Sequence, residues 1–279
     1  MPELPEIETI RRGLERETVG RRVKAAEVPV AKAVHRNGSR KAFQSRLDGA
    51  KIKGVDRRGS LLVFTLDTGE LLVFDIGTSG YLLRTSPKDE MAKDTQIVIT
   101  FTQGGQLRMG DPEGVAEAFV VTPDLLLVEA PELGNLGLDP VASPVSWTAF
   151  AQSLVNHRTE KLKPLLLDQS FVVGLGGLYA DEILHDAGLR PDRAVSTVST
   201  MEIRRLYRSL VEILHEATKH HGTSMPEHPF TDLQGKEGSF QEELQVWGRD
   251  GQPCRRCRQT VTKQRGGGRI TYWCPSCQV

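Results

Sequence analysis

No cysteine occurs before residue 254 of this 279-residue chain, so disulfides cannot staple its bulk. No apolar run approaches the roughly 18 residues that a membrane-crossing helix needs. Net charge is also missing: 36 Lys and Arg balance 36 Asp and Glu, which excludes a chain that is basic all over. It does not exclude nucleic-acid binding, which depends on how charge is distributed. The opening Met1-Pro2-Glu3-Leu4-Pro5-Glu6 is acidic and broken by proline, unlike a secretory signal, so the expectation is a cytosolic protein. With 38% hydrophobic and 26% charged residues, the composition is that of a folded protein of about two domains.

The four cysteines lie in the last 26 residues as Cys254-x2-Cys257 and Cys274-x2-Cys277. Each pair sets two thiolates at a tight turn, and two such turns close a tetrahedral site for one structural Zn2+. The alternative is two separate redox pairs. Around them the charge is lopsided. From Arg249 onward stand Arg249, Arg255, Arg256, Arg258, Lys263, Arg265 and Arg269 against the single acid Asp250. Between the pairs, Val261-Thr262 and Ile270-Thr271-Tyr272-Trp273 read as two short strands joined by glycines, with Arg265 and Arg269 near the tip. A metal-pinned hairpin carrying arginines suits phosphates, although a solvated basic tail would share that composition.

Along the rest of the chain, residues 4–18 have helical periodicity, with Ile7, Ile10 and Leu14 on one face. Residues 61–66, 71–74, 96–101 and 118–121 are short β-rich runs, with turns at 67–70 and 103–106, which suggests a sheet pair or sandwich. Prolines 123, 131, 140 and 144 mark a linker. Helices are predicted at 147–154, 162–168, 178–187 and 201–220, and residues 222–248 read as an irregular, mobile loop. Gly174-Leu175-Gly176-Gly177-Leu178 precedes a helix and could offer backbone amides to an anion, a weak signal alone.

Pro2 carries the chemical interest. If the initiator methionine is removed, Pro2 becomes a secondary amine. An α-amino group has a pKa of about 7.7–8.0, against about 10.4 for lysine, so roughly a tenth is uncharged at pH 7. Attack on a sugar C1′ gives a cationic iminium, an electron sink that eases loss of a 3′ phosphate. Glu3 could protonate the ribose ring oxygen and Glu6 could orient the site. The competing reading is an ordinary start with proline opening a helix.

Taken together these residues resemble the formamidopyrimidine-DNA glycosylase / endonuclease VIII family over nearly the whole chain. The likeness rests on Met1-Pro2-Glu3-Leu4-Pro5-Glu6-Ile7-Glu8, Arg57-Arg58-Gly59, Gly77-x-Ser79-Gly80 and Asp111-Pro112. It continues through Val172-Val173-Gly174-Leu175-Gly176, Tyr179-Ala180-Asp181-Glu182, Gln245-Val246-Trp247-Gly248-Arg249 and the four-cysteine segment with Arg269 and Gln278. The resemblance implies an α+β protein: an N-terminal helix and β-sandwich, a helical domain with a helix–two-turn–helix element, and a zinc finger. Domain limits of 1–125, 126–145 (linker), 146–240 and 241–279 are expected. By position, Pro2 would be the Schiff-base nucleophile, Glu3 the general acid and Glu6 its support. Arg269 would clamp the phosphate beside the lesion and also serve the chemistry. Ser60, Gly176, Gly177, Tyr179, Arg265 and Arg269 are the candidate DNA contacts.

The chain departs from the family pattern at four places. A lysine that binds phosphate is Ser60; a methionine wedge is Thr78, in a segment opening with Asp75 where histidine is usual. The arginine and aromatic wedge after Asp111-Pro112 are replaced by Glu113, Gly114 and Val115, and an asparagine is Gly177. Losing two charged phosphate contacts of roughly 1.5–3 kcal/mol each could lower affinity about 100-fold or more. The expectation is a DNA glycosylase and abasic-site lyase acting on damaged double-stranded DNA, with single-stranded or abasic DNA as further substrates. It would be a monomer, cytoplasmic and nucleoid-associated as in bacteria, with no membrane partner. The alternatives are a DNA-damage-binding paralogue with weak or no activity, which Ser60 favours, and a zinc-ribbon protein-interaction domain.

Overall fold

Leu4–Thr18 winds into the first helix, α1, because Ile7, Ile10 and Leu14 recur at helical spacing and are all buried. The computed structural model describes residues 2–227, 229–266 and 268–279; Met1, His228 and Gly267 lie outside them. The chain divides into two compact units. The first holds residues 1–2, 6–134 and 221–239, the second residues 3–5, 135–220 and 240–279.

In the first unit, α1 is followed by β1 (Val23–Glu27) and α2 (Arg40–Leu47), whose N-cap Ser39 accepts the Ala42 N–H at 3.1 Å. Seven strands follow: β2 (Ile52–Arg58), β3 (Leu61–Leu66), β4 (Leu71–Asp75), β5 (Tyr81–Thr85), β6 (Thr95–Phe101), β7 (Gln106–Gly110) and β8 (Glu117–Val121). They form two antiparallel four-stranded sheets, ordered β1-β6-β7-β5 and β2-β3-β4-β8. Phe64, Phe74 and Val120 of one sheet share a buried core with Ile97, Phe101 and Met109 of the other, and α1 packs into it. The expected sandwich is therefore present, with more strands than the apolar runs announced.

The outer face of the second sheet is covered as well. Leu61, Val63, Val73 and Phe119 bury against Leu126 of α3 (Leu126–Glu129) and Ala130. The first part of the proline-rich stretch read as a linker is thus packed on the sheet. Residues 221–239 return to this unit with no helix or strand among those described, yet Phe230 and Leu233 enter its core and the Leu233 carbonyl accepts the Arg84 N–H at 2.8 Å. The segment read as a mobile loop is irregular but anchored.

The second unit carries α4 (Trp147–Val155), α5 (Leu162–Leu166), α6 (Gly177–Ala187) and α7 (Thr200–Lys219). Between α5 and α6 the chain makes two tight turns. Asp168 accepts the Ser170 N–H at 2.8 Å, and Gly174, at φ +70°, lets Gln169 accept the Gly174 N–H at 2.6 Å. This is a helix–two-turn–helix element. Helix α7 begins with a capping box of Ser199 and Glu202. The unit closes with the antiparallel hairpin β9 (Thr262–Gly266) and β10 (Arg269–Trp273).

Candidate functional site

Glu3 is a buried carboxylate near the start of the chain that is held by backbone amides. It is 9% exposed, and its oxygens accept the N–H groups of Gly176 (2.7 Å), Leu178 (3.0 Å) and Tyr179 (3.3 Å). These amides are the orphan donors at the N-terminus of α6, where the helix dipole favours negative charge. The glycine turn that the sequence offered as an anion site thus gives its Gly176 amide to Glu3, and Gly174 donates to Gln169. The ring of Tyr179 is 0% exposed and tilts against Phe240, and its amide donates to Glu3.

Lys163, a lone cation in an apolar stretch, reaches the same neighbourhood. Its ammonium pairs with Asp181 at 2.6 Å and donates to the Ile270 carbonyl at 2.8 Å, fixing the backbone next to Arg269. Burial lowers the Lys163 pKa, Asp181 and Glu3 oppose that, and Arg269 reinforces it. Burial likewise raises Asp181 despite the lysine. Glu3 and Arg269 therefore act on one ammonium, which brings two sequence-predicted residues into one electrostatic cluster. Arg269 is exposed and shares a cavity of about 330 Å³ with Lys161, Lys163, Leu167 and Trp273. Arg265 is exposed on β9, opposite Ile270.

Helix α6 also organises the C-terminal segment. Asp181 accepts the Tyr272 N–H at 2.8 Å. Glu182, fully buried, accepts the amides of Gln245 (2.8 Å), Val246 (3.0 Å) and Trp247 (2.8 Å). Burial raises the Glu182 pKa and those amides pull it back. The four cysteine Sγ atoms lie within 4.8 Å of one another, with Cys254–Cys277 at 3.9 Å and Cys257–Cys274 at 3.4 Å. Tetrahedral zinc with Zn–S bonds of about 2.3 Å needs S–S edges of about 3.8 Å, so the set fits one structural Zn2+.

In the first unit, Pro2 is half-buried and Glu6 is 3% exposed. Glu6 accepts the Thr223 N–H at 2.7 Å, which ties α1 to the returning segment. Glu8 is also buried. Burial pushes its pKa up, but Arg11 and Arg57 outweigh it and hold the carboxyl below the usual range. Ser60 is exposed at the β2–β3 turn. The two divergent loops touch each other: the Thr78 hydroxyl donates to Glu113 at 2.9 Å, and Asp111 accepts the Ser79 hydroxyl and the amides of Glu113, Val115 and Ala116. Asp75, raised by burial, accepts the Gly77 N–H.

Sequence reasoning missed Lys163 and the contacts that Asp181 and Glu182 make with distant backbone. A lysine inside Leu162-Lys163-Pro164-Leu165-Leu166-Leu167 was the one available signal. The backbone partners of Asp181 and Glu182 are 63 to 91 residues distant, so spacing could not reveal them.

Comparison with known proteins bears on all of this. Residues 1–117 match the formamidopyrimidine-DNA glycosylase N-terminal domain, residues 136–228 its H2TH domain, and residues 251–279 a zinc finger found in FPG and IleRS. A formamidopyrimidine-DNA glycosylase of Heliobacterium modesticaldum is 38% identical, with all of both chains covered. One from Pelotomaculum thermopropionicum is 36% identical over 100% of this chain and 99% of its own. The Lactococcus lactis Fpg in complex with DNA containing an abasic site superposes with a TM-score of 0.88 at 30% identity, covering 99% of each chain. From the N-terminal carboxylate on its helix to the four-cysteine finger, the chain belongs to the formamidopyrimidine-DNA glycosylase family.

Proposed function

We propose that this protein removes damaged bases from DNA and then cleaves the abasic strand by β-elimination. The neutral Pro2 nitrogen attacks the sugar C1′ as the base leaves with the bonding electrons and the amine proton is lost; the C1′–O4′ bond then breaks with a proton delivered to O4′, so the sugar ring opens and an iminium forms. Loss of a C2′ proton then expels the 3′ phosphate, and water releases the enzyme. Glu3 serves as the acid at the ribose oxygen and Glu6 supports the N-terminal turn. Arg269 takes the phosphate beside the lesion, with Arg265, Ser60 and the Gly177 turn as further DNA contacts. The zinc finger holds the arginine-bearing hairpin. The observation that carries the reading is the carboxylate following Pro2, seated on three helix amides of the same unit in which Lys163 donates to the carbonyl next to Arg269. We assign functional domain limits of 1–125, 146–240 and 241–279 around a linker at 126–145, with the start of that linker packed on the first unit and residues 221–239 returning to it. The location that follows is cytoplasmic and nucleoid-associated; no described helix is long and apolar enough to cross a membrane.

Borohydride trapping tests this. With DNA holding an abasic site, the chain from which Met1 has been removed should form a covalent adduct whose modified peptide carries the DNA remnant on Pro2. A form that keeps Met1, in which the Pro2 nitrogen is an amide, should form none. Absence of adduct in the chain starting at Pro2, or an equal yield in the form keeping Met1, rejects the proposal.

A further inference from the structure

Helix α6 turns a third polar side chain toward the C-terminal segment, and the chemistry above makes no use of it. His185 is 1% exposed, with its Nε2 3.5 Å from the Sγ of Cys254, which is itself fully buried. Its Nδ1 is buried without a hydrogen-bond partner among the described residues. A sulfur bound to zinc is a thiolate and has no proton to give. Any hydrogen between these two atoms must then belong to the imidazole. That fixes the neutral tautomer protonated on Nε2 and leaves Nδ1 as a bare acceptor. The opposite tautomer would bury an unsatisfied N–H and aim a lone pair at an anionic sulfur, two costs at once.

We propose that His185 is a positioning residue for the zinc site, donating its Nε2–H to the Cys254 thiolate. The hydrogen bond draws charge off the sulfur and fixes its direction. Retention of the metal thereby depends on α6 as well as on the four cysteines, and the thiolate becomes a poorer nucleophile toward oxidants and alkylating agents. Outer partners of this kind typically change metal affinity 10–100-fold.

The test uses the full chain, loaded with zinc or with cobalt(II), as native protein, His185→Phe and His185→Gln. Phenylalanine keeps an aromatic ring without a donor, and glutamine restores an N–H at similar reach. The Phe variant should pass zinc to a chromogenic chelator about 10-fold faster. Its sulfur-to-cobalt charge-transfer band should move to lower energy, because a thiolate without its donor is more electron-rich. The Gln variant should stay near the native chain in both readouts. Native-like release with an unshifted band in His185→Phe overturns the proposal, as does a Gln variant that behaves like Phe. If His185→Phe does not fold, imidazole 15N shifts of the zinc-loaded native chain decide: a protonated Nε2 supports the proposal, and a protonated Nδ1 overturns it.

Discussion

A methyl group at Gly176 should act as a wedge against Glu3. The backbone there is extended, at φ −117° and ψ −167°, so alanine meets no conformational strain. A Cβ would, however, lie 2.4 Å from Glu3 Oε1 and 2.5 Å from its Cδ, well inside contact distance. The side chain must leave, and leaving breaks the three amide bonds that hold it. Hydrogen bonds to a charged group contribute roughly 1.5–3 kcal/mol each. Water re-solvates part of the exposed helix N-terminus, so a net loss of about 2–4 kcal/mol is expected. Denaturant unfolding of Gly176→Ala, Glu3→Ala and the double variant measures it as a cycle. Without the carboxylate there is nothing to clash with, so the glycine substitution should cost less than about 1 kcal/mol in the Glu3→Ala background. Amide exchange at Gly176, Leu178 and Tyr179 should accelerate in both single variants. Equal costs of Gly176→Ala in the two backgrounds would refute the argument.

Three further outcomes are expected. Arg193, with help from Ser199 and against a smaller effect of burial, holds Glu202 down to about 2 from 4.5. A depressed carboxylate contributes stability above its unfolded pKa, so about 1–2 kcal/mol, discounted for solvent screening, should be lost as pH falls from 4.5 toward 2. Urea unfolding should show Glu202→Gln weaker at pH 7 and flatter through that window; parallel curves would contradict it. A Cβ on Gly177 would stand 3.2 Å from the Trp247 ring, so restoring the family's asparagine alone should cost about 1–2 kcal/mol by overpacking. Trp247→Ala should relieve that cost, and strictly additive melting shifts would exclude the clash. Stripping zinc should abolish hydrogen-exchange protection across residues 249–279 while strands β3 and β4 stay protected. Retained protection in the metal-free chain would mean the finger does not depend on its ion.

What the sequence revealed depended on how each segment is buried. Strands β3 and β4 read as unbroken apolar runs because both faces of their sheet are covered, one by the shared core and one by Leu126 and Ala130. Strands β1, β2, β5 and β7 were passed over because they carry charge among their apolar residues. Arg108 of β7 is 7% exposed, its guanidinium satisfied by Gln106 and the carbonyls of Ser86, Asp89 and Glu90. No local pattern announces an arginine buried in this way. The zinc ligands were plain from spacing alone. The glycine turn was visible as an anion site, but the identity of its anion was not: Glu3 lies 173 residues from Gly176. Glu182 gave no sign either, since an isolated acid in a helix usually faces water.

The commitment of α6 to distant backbone has a bearing on how this gene tolerates damage. A stop codon after Leu244 would remove every amide that Glu182 accepts and the one that Asp181 accepts. Glu182 would lose all three amides that compensate its burial, and Asp181 would be left with Lys163. Such a truncation is expected to unsettle the helical unit and not merely to remove one module, so the last 35 codons serve folding as well as chemistry.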